Sequence, residues 1–325
     1  MSLINVESFW INKKNRSYIK KEQISGPIKS EVLIKTIFSG ISYGTEQIVY
    51  AGKVPKSEKK LMRCPYQVGD FGSDVKYGYL NIGKIIDGET KDIGKNVFTL
   101  YPHQNLFTIN ESEVSLIPRK IPLKRTLLTA NMETAINALW DTLPTSGDKC
   151  VVIGAGIVGI LMAYLLNSII GVDVVIIDKD KKKKNIANLF DLNFDTSLSK
   201  TMRANFIYEC SGDSKIINKL GKFTENEATI CILSWYGTNQ SRINFGEHYL
   251  SKRLNIIFSQ VSKISKNRIK NWTNKTRRDF AINLLNNKKL DYLIDKNEIK
   301  FHKLPNFFKN SKNKNFFCKV VNYNK

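Results

Sequence analysis

VVIGAGIVGILMAYLLNSIIGVDVVIID, residues 151–178, decides the fold. A short apolar strand runs into Gly154-Ala155-Gly156-Ile157-Val158-Gly159. An apolar helix follows, and VDVVIID then reads as a second strand. Buried parallel strands are apolar on both faces, so they show a continuous run rather than alternation. Glycine triplets occur by chance, but this one sits between a strand and a helix inside a βαβ unit of about 30 residues, the setting a dinucleotide-binding turn requires. Gly154 allows the tight turn, Gly156 lets the backbone approach a pyrophosphate, and Gly159 lets the helix pack close to the strand. Ile157 and Val158 open the helix, whose free N–H groups and partial positive charge favour phosphate.

Asp178 closes the second strand, 24 residues after Gly154. An acid there accepts hydrogen bonds from the ribose hydroxyls and repels a 2′-phosphate, which favours NAD over NADP. Lys179 and Lys181 stand close by and offer cations to such a phosphate, so NADP is the weaker alternative. In a domain that binds nothing, the same glycines would only tighten a turn. The 22 uncharged residues 151–172 are also long enough to span a bilayer. The glycines and the β-rich run after Asp173 favour strand, turn, helix and strand instead, so no membrane partner is expected.

Outward from this unit the alternation continues. A helix from about Lys181 is followed by strand-like FIYECSG, ATICILSWYG and LNIIFSQ, which predicts a doubly wound parallel α/β sheet of Rossmann type. The N-terminal third is β-rich: EVLIKTIFS (31–39) alternates, ISYGTE turns into a helix, residues 52–76 show no period, and YLNIGKII, NVFTLY and LFTI read as short strands. Residues 124–143 read as one or two helices. A helix near 277–287 and a β-like tail, FFCKVVNY, close the chain. At 325 residues about two domains are expected.

Fifty-one Lys and Arg against 29 Asp and Glu give a net charge of +22. The excess is mostly lysine, spread along the chain with many Asn, Ile and Phe, the mark of a compositional bias. No nucleic-acid module or interleaved basic-aromatic stripe accompanies it, so no nucleic-acid partner is expected. An anionic substrate stays open. Five cysteines form no CxxC pair and are odd in number, which fits a reduced, cytoplasmic setting. MSLINVESFWINKKNR lacks the apolar core of a signal peptide.

FSGISYGTE (38–46), VKYGYLNIG (75–83), LYPHQ (100–104), METAINALWD (132–141) and LSWYG (233–237) resemble segments of the medium-chain dehydrogenase/reductase superfamily. They are most similar to a zinc-free bacterial branch usually labelled "zinc-binding dehydrogenase". The resemblance covers nearly the whole chain. It implies a β-rich GroES-like catalytic domain over 1–125, a Rossmann dinucleotide-binding domain over 126–264, and a return segment, 265–325, that completes the first. It also implies an NAD(P)-dependent oxidoreductase acting on a small molecule, and a homodimer.

The departures from the superfamily concern its catalytic zinc. Ser42 or Tyr43, depending on a one-residue gap, stands where the first cysteine ligand would be. Gly78-Tyr79-Leu80 replaces the glycine-histidine-glutamate motif, and the third ligand position falls near Ala130. Hydroxyls and a methyl group do not make an ordinary zinc site. The four-cysteine structural lobe is missing too, since NVFTL runs directly into YPHQ. No metal is expected, with Glu133, near the third position, the one carboxylate at hand.

Without zinc, the charge that builds on a carbonyl oxygen during hydride transfer needs hydrogen-bond or proton donors. The resemblance offers Thr45, at the hydroxyl of the superfamily's proton relay, and Tyr79, at the lost ligand. His103 is one of three histidines, the residue type suited to proton transfer near neutrality. Each also has a structural alternative: Thr45 capping a helix, Tyr79 packed on a strand, and His103 bonded to backbone in a loop. His248 and His302 sit in polar stretches and are given no role. Cys210, Ser211 and Ser234 to Gly237 are expected at strand ends along the cofactor crevice, with Trp235 and Tyr236 as pocket walls or lid packing. Thr134 resembles the threonine that flanks the nicotinamide. Tyr43, Arg63, Lys76, Glu133 and Tyr236 are expected near substrate, although Glu133 equally suits a solvent-facing helix position. Segment 52–76, with Tyr66, Asp70 and Phe71, hints at a functionalised ring or a sugar-like ligand.

The leading expectation is a zinc-independent, NAD(H)-linked alcohol/carbonyl oxidoreductase. An NADPH-dependent quinone or enoyl C=C reductase is the second. A non-catalytic nucleotide sensor or nucleic-acid binder on the same fold is the third.

Overall fold

The computed structural model describes residues 3–310 and 317–324. The chain divides into two units, Met1–Ala130 with Arg278–Lys325, and Asn131–Arg277.

Unit 1 opens with two long antiparallel strands, β1 (Leu3–Asn12) and β2 (Ser17–Ser25), in register from Leu3↔Ser25 to Ile11↔Ser17. The sequence reading assigned neither. β2 is an edge strand carrying Lys20, Lys21, Glu22 and Gln23, so its pairing with β1 defines it rather than an apolar face of its own. β3 (Glu31–Ile41) runs into α1 (Tyr43–Tyr50). β4 (Val68–Gly69) and β5 (Asp74–Lys76) come from the stretch without a period. β6 (Leu80–Gly88), β7 (Asn96–Thr99), β8 (Leu106–Asn110) and β9 (Ser115–Leu116) complete the N-terminal part of the unit.

α2 (Thr129–Thr142) leads to the second unit. There β10 (Lys149–Ile153), α3 (Ile157–Asn167), β11 (Asp173–Ile177), α4 (Lys183–Leu189), β12 (Asn193–Asp195), β13 (Ala204–Glu209), α5 (Ile217–Leu220), β14 (Thr224–Ile232) and β15 (Asn255–Phe258) follow in turn. α6 (Asn274–Leu284), β16 (Ile299–Lys300), α7 (Leu304–Asn310) and β17 (Lys319–Asn322) end the chain. Phe316 of the expected β-like tail lies outside the described residues.

Unit 1 holds a four-stranded sheet, β2-β1-β5-β4, and a larger sheet, β16-β17-β3-β6-β7-β9, with β8 also paired to β3. Its core includes Val32, Ile34, Ile85, Val97, Phe107 and Ile109. Unit 2 is a six-stranded parallel sheet in the order β12-β11-β10-β13-β14-β15. The chain winds from β10 out to β12, then returns to β13 on the other side of β10. That reversal opens a crevice at the carboxyl ends of β10 and β13. Val151, Ile153, Ile177, Ile207, Ile230 and Ile232 fill the core beneath it, each buried side chain stabilising by about 1.5–3 kcal/mol.

The second boundary between the units falls after Arg277 rather than near 264. Trp272 packs on Trp140 with centroids 4.8 Å apart. Arg277 donates to Glu133, to Asn137 and to the Val261 carbonyl. These contacts keep residues 265–277 with unit 2. α3 is 11 residues long, and no described helix is long and apolar enough to cross a membrane.

Candidate functional site

The glycine turn after β10 separates three requirements. Gly154 has φ +99°, and a Cβ there would stand 2.7 Å from Ser211 Cα. A Cβ on Gly159 would lie 1.8 Å from the Gly154 carbonyl oxygen, so helix and turn touch at backbone distance. At Gly156, the residue preceding α3, φ is −79° and a Cβ would meet no protein atom within 4 Å. Protein packing therefore demands glycine at the first and third positions but not at the second, where a bound pyrophosphate would need the room. Ile157 and Val158 are half-buried in the first turn of α3. The residues fit the phosphates of a dinucleotide.

Asp178 follows β11. Its two carboxylate oxygens accept the Ala155 N–H at 2.8 Å and the Asp180 N–H at 2.9 Å. The acid thus pins the glycine turn while each oxygen keeps a second lone pair for a ribose hydroxyl. Lys179 and Lys181 are exposed and Lys183 is half-buried. Burial pulls the Lys183 ammonium below its ordinary pKa, against the opposing charges of Asp178 and Asp180.

On the other side of β10, Glu209 ends β13. The Ser211 N–H, the Ser211 hydroxyl and the Tyr236 hydroxyl all donate to its carboxylate. The Gly212 N–H donates to Ser234 Oγ at 2.9 Å. Glu209 therefore ties together the loops after β13 and β14. Burial, then the Glu209 charge, hold the phenol of Tyr236 well above its usual pKa and the thiol of Cys210 likewise. Cys210, Trp235 and Gly237 are half-buried along the same loops. Thr134, on α2, is half-buried as well. Glu133 is not solvent-facing: it is 2% exposed and its carboxylate pairs with Arg277 at 3.2 Å.

In unit 1, the chain from β3 into α1 builds a second cluster. Ser42 precedes α1, and the Glu46 carboxylate reaches back to accept its N–H at 2.8 Å. The other Glu46 oxygen meets His103 Nε2 at 3.0 Å, and His103 Nδ1 is 2.7 Å from Ser39 Oγ. Ser39 Oγ also lies 3.0 Å from the Tyr323 hydroxyl. A Cβ on Gly78, at φ +120°, would strike His103 Cδ2 at 2.7 Å, so glycine lets the ring seat. Ser39, His103 and Glu46 follow the hydroxyl–imidazole–carboxylate order of a nucleophilic triad. Ser39 is 0% exposed, however, and His103 only 1%, so the network stays internal.

Tyr79 is half-buried and joins this cluster through α1 and the residue before it. Its hydroxyl is hydrogen-bonded to the side chains of Ser42 and Thr45. Burial, then the charge of Glu46, raise its pKa above the usual phenol value, partly opposed by those two bonds. Thr45 lies inside α1 rather than at its cap, so the capping alternative does not hold. Burial pushes the Cys64 thiol up to about 12, with Glu46 adding to it.

The remaining sequence candidates are engaged within the protein or near the cluster. Tyr43 begins α1 and is half-buried. The Arg63 guanidinium donates to the carbonyls of Gly69 and Gln67 and to Asp70, stapling its own loop. Lys76, 7% exposed, donates to Gln104 at 2.8 Å and stands 3.9 Å from Glu22. The hydroxyls of Ser42, Tyr43 and Tyr79 and the methyl of Ala130 do not fit zinc. Among the described residues, no group of three His, Cys, Asp or Glu side chains is placed to hold a metal.

Sequence reasoning missed Ser39, Glu46, Glu209 and Tyr323. Glu46 carried a signal, an acid in the first turn of a helix. The Ser39 contacts bridge 64 and 284 residues of sequence, which no local pattern displays.

No family model matches the chain, and no curated protein matches it in sequence. Solved structures do match in fold. L-idonate 5-dehydrogenase from Escherichia coli superposes with a TM-score of 0.80 at 12% identity, covering 99% of both chains. An alcohol dehydrogenase from E. coli CFT073, complexed with NADH, gives 0.76 at 16% identity over 98% of this chain and 99% of that one. TarJ from S. aureus, in complex with NADPH, gives 0.76 at 14% identity over 99% and 100%. The fold is that of the medium-chain dehydrogenase/reductases, a Rossmann-type parallel sheet with a β-rich GroES-like unit.

Proposed function

We propose that the chain is a zinc-independent oxidoreductase transferring a hydride between NAD(H) and an alcohol/carbonyl substrate. The observation that carries this reading is the glycine turn. Gly154 and Gly159 are fixed by backbone contacts, Gly156 is not, and Asp178 stands at the next strand end.

A bound nicotinamide cofactor supplies or takes the hydride. The chain's own residues do the rest. The turn and the α3 N-terminus hold phosphates, and Asp178 accepts ribose hydroxyls. Tyr79, protonated across the neutral range because burial and Glu46 raise its pKa, gives a proton to the substrate oxygen in reduction. Thr45 and Ser42 share hydrogen bonds with it and relay the replacement proton. His103, sealed from solvent with both ring nitrogens engaged, fixes Glu46 rather than meeting substrate.

Three further parts belong to the proposal. β15 is one edge strand of the parallel sheet and carries Phe258 at 73% exposure, which supports a homodimer. The five cysteines are free, which supports a reducing, cytoplasmic setting. The NADPH-linked C=C reductase is the second reading, favoured by the lysines around Asp178, with Lys183 close enough to feel its charge.

Fluorescence titration of metal-analysed protein with NADH and NADPH tests the proposal. Tight NADH binding by zinc-free protein is expected. Tight NADPH with weak NADH binding moves the second reading ahead, and folded protein that binds neither sinks both.

A further inference from the structure

The crevice of unit 2 contains a charge that the reading above does not use. Glu209 is 0% exposed. Three donors converge on its carboxylate: the Ser211 N–H at 2.7 Å, the Ser211 hydroxyl at 2.5 Å and the Tyr236 hydroxyl at 2.5 Å. All three are neutral. Among the described residues no Lys, Arg or His forms an ion pair with Glu209. Elsewhere in the same unit the chain does pair its buried acid: Glu133 has Arg277. A buried charge held only by neutral dipoles is costly, and an opposite charge arriving beside it offsets that cost.

The sheet order says which half of a dinucleotide lies near Glu209. In the order β12-β11-β10-β13-β14-β15 the glycine turn follows β10, and Asp178, the ribose acceptor, follows β11. Glu209 follows β13, on the other side of the turn, where the second mononucleotide half belongs. In a nicotinamide dinucleotide that half ends in a ring that is cationic when oxidised and neutral when reduced.

We propose that Glu209 is a charge-bearing positioning residue: it holds the two loops of the crevice and makes the site favour the oxidised, cationic nicotinamide over the reduced one. The inference rests on the NAD(H)-linked reading, and it adds a direction to it. In reduction, a hydride with its two electrons passes from the reduced ring to the carbonyl carbon. A proton from the hydroxyl cluster reaches the oxygen, and the products are an alcohol and a cationic ring. Stabilising that cation draws the equilibrium on the protein toward alcohol. Each tenfold preference for the oxidised form lowers the potential of the bound two-electron couple by about 30 mV.

Calorimetric Kd values for NAD⁺ and NADH test this on the full chain. Glu209→Gln is expected to raise the ratio Kd(NAD⁺)/Kd(NADH) at least about tenfold, the scale of one unit charge acting at an effective dielectric of about 20. Glu209→Asp, which keeps the charge, is expected to hold the ratio near its starting value. The wild-type chain provides a second reading that leaves the buried site intact: it is expected to bind NAD⁺ more tightly than NADH. A purely structural role would move both Kd values together and leave the ratio unchanged. That result in Glu209→Gln, or, should this variant fail to fold, tighter binding of NADH than of NAD⁺ by the wild type, overturns the inference alone. Folded wild-type protein that binds neither form overturns the NAD(H) reading, and this inference with it.

Discussion

Substituting Gly156 and Gly159 one at a time separates a turn that merely needs glycine from a turn that binds phosphate. Gly156→Ala places a methyl group where no protein atom lies within 4 Å, at φ −79°. Alanine adopts that backbone freely. The loss of unfolded-chain entropy favours it by about 0.4–1 kcal/mol, while alanine is a poorer residue than glycine at a helix start. The two offset, so stability should change by less than about 1 kcal/mol. Affinity should not be spared. If the methyl keeps the pyrophosphate from one charge-assisted hydrogen bond, about 1.5–3 kcal/mol is lost, or about 10- to 100-fold in Kd. Gly159→Ala does the opposite. Its Cβ would stand 1.8 Å from the Gly154 oxygen, and α3 must move away. Overpacking of that kind costs about 1–3 kcal/mol or more, about 2–4 °C in Tm per kcal/mol for a unit of this size. Denaturant unfolding and NADH fluorescence titration on both variants read the two effects. A Gly156→Ala variant with native NADH affinity would refute the reasoning, because nothing would then approach the backbone there.

Four further outcomes follow from the geometry. Tyr79→Phe should keep cofactor affinity and fold but lower turnover by about 10²–10⁴-fold; unchanged turnover in steady-state kinetics would remove Tyr79 from proton transfer. In the wild type, the Tyr79 hydroxyl is held above the usual phenol value, so its deprotonation should not limit reduction until the pH passes 10, which a kcat–pH profile checks. Glu46→Ala strips a buried hydrogen-bond partner from His103 and from the Ser42 N–H and should destabilise by about 1–3 kcal/mol, measured by chemical unfolding. Glu22 and Glu298 have pKa values below the ordinary carboxylate value: burial pushes each up, but hydrogen bonds from Ser8 to Glu22, and from Lys124 and Asn322 to Glu298, outweigh it. Their contribution is fully present above the unfolded pKa and is lost as the pH falls through the lowered native values. Glu22→Gln should therefore flatten the acid limb of a stability–pH curve, and an unaltered limb would contradict the assignment.

The parallel unit was legible because its information is local. Val151 to Asp178 carries strand, turn, helix and strand in one stretch, and the contact that demands glycine at Gly159 is with Gly154, five residues earlier. β1 and β2 were not legible, since β2 presents Lys20 to Gln23 and is a strand only because β1 lies beside it. The cluster in unit 1 was half legible. Thr45, Tyr79 and His103 were picked out by residue type and resemblance, while Glu46 and Ser39, which hold His103, act through bonds spanning 57 and 64 residues. Arg63, Lys76 and Glu133 show the converse. Resemblance put them near a substrate, and each has a partner inside its own unit. From sequence, a charged side chain that binds and one that braces look the same.

The pairing of β17 with β3 has a consequence for biosynthesis. Asn322 lies opposite Phe38, and Lys319 opposite Ile41, so this part of the sheet is completed by residues made nearly 300 positions later. At about 5–20 residues per second, translation leaves the Phe38–Ile41 edge without its neighbour for on the order of tens of seconds. Asn131–Arg277, by contrast, is continuous in sequence and has every strand of its sheet available before the chain ends. The nascent chain therefore passes through a stage in which the parallel-sheet unit can be finished while an apolar strand edge of the other unit lacks its neighbour. An open edge is a template for wrong pairing. Loss of the last few residues would reproduce that stage in the released protein, leaving Ser39 without Tyr323 and β3 unprotected.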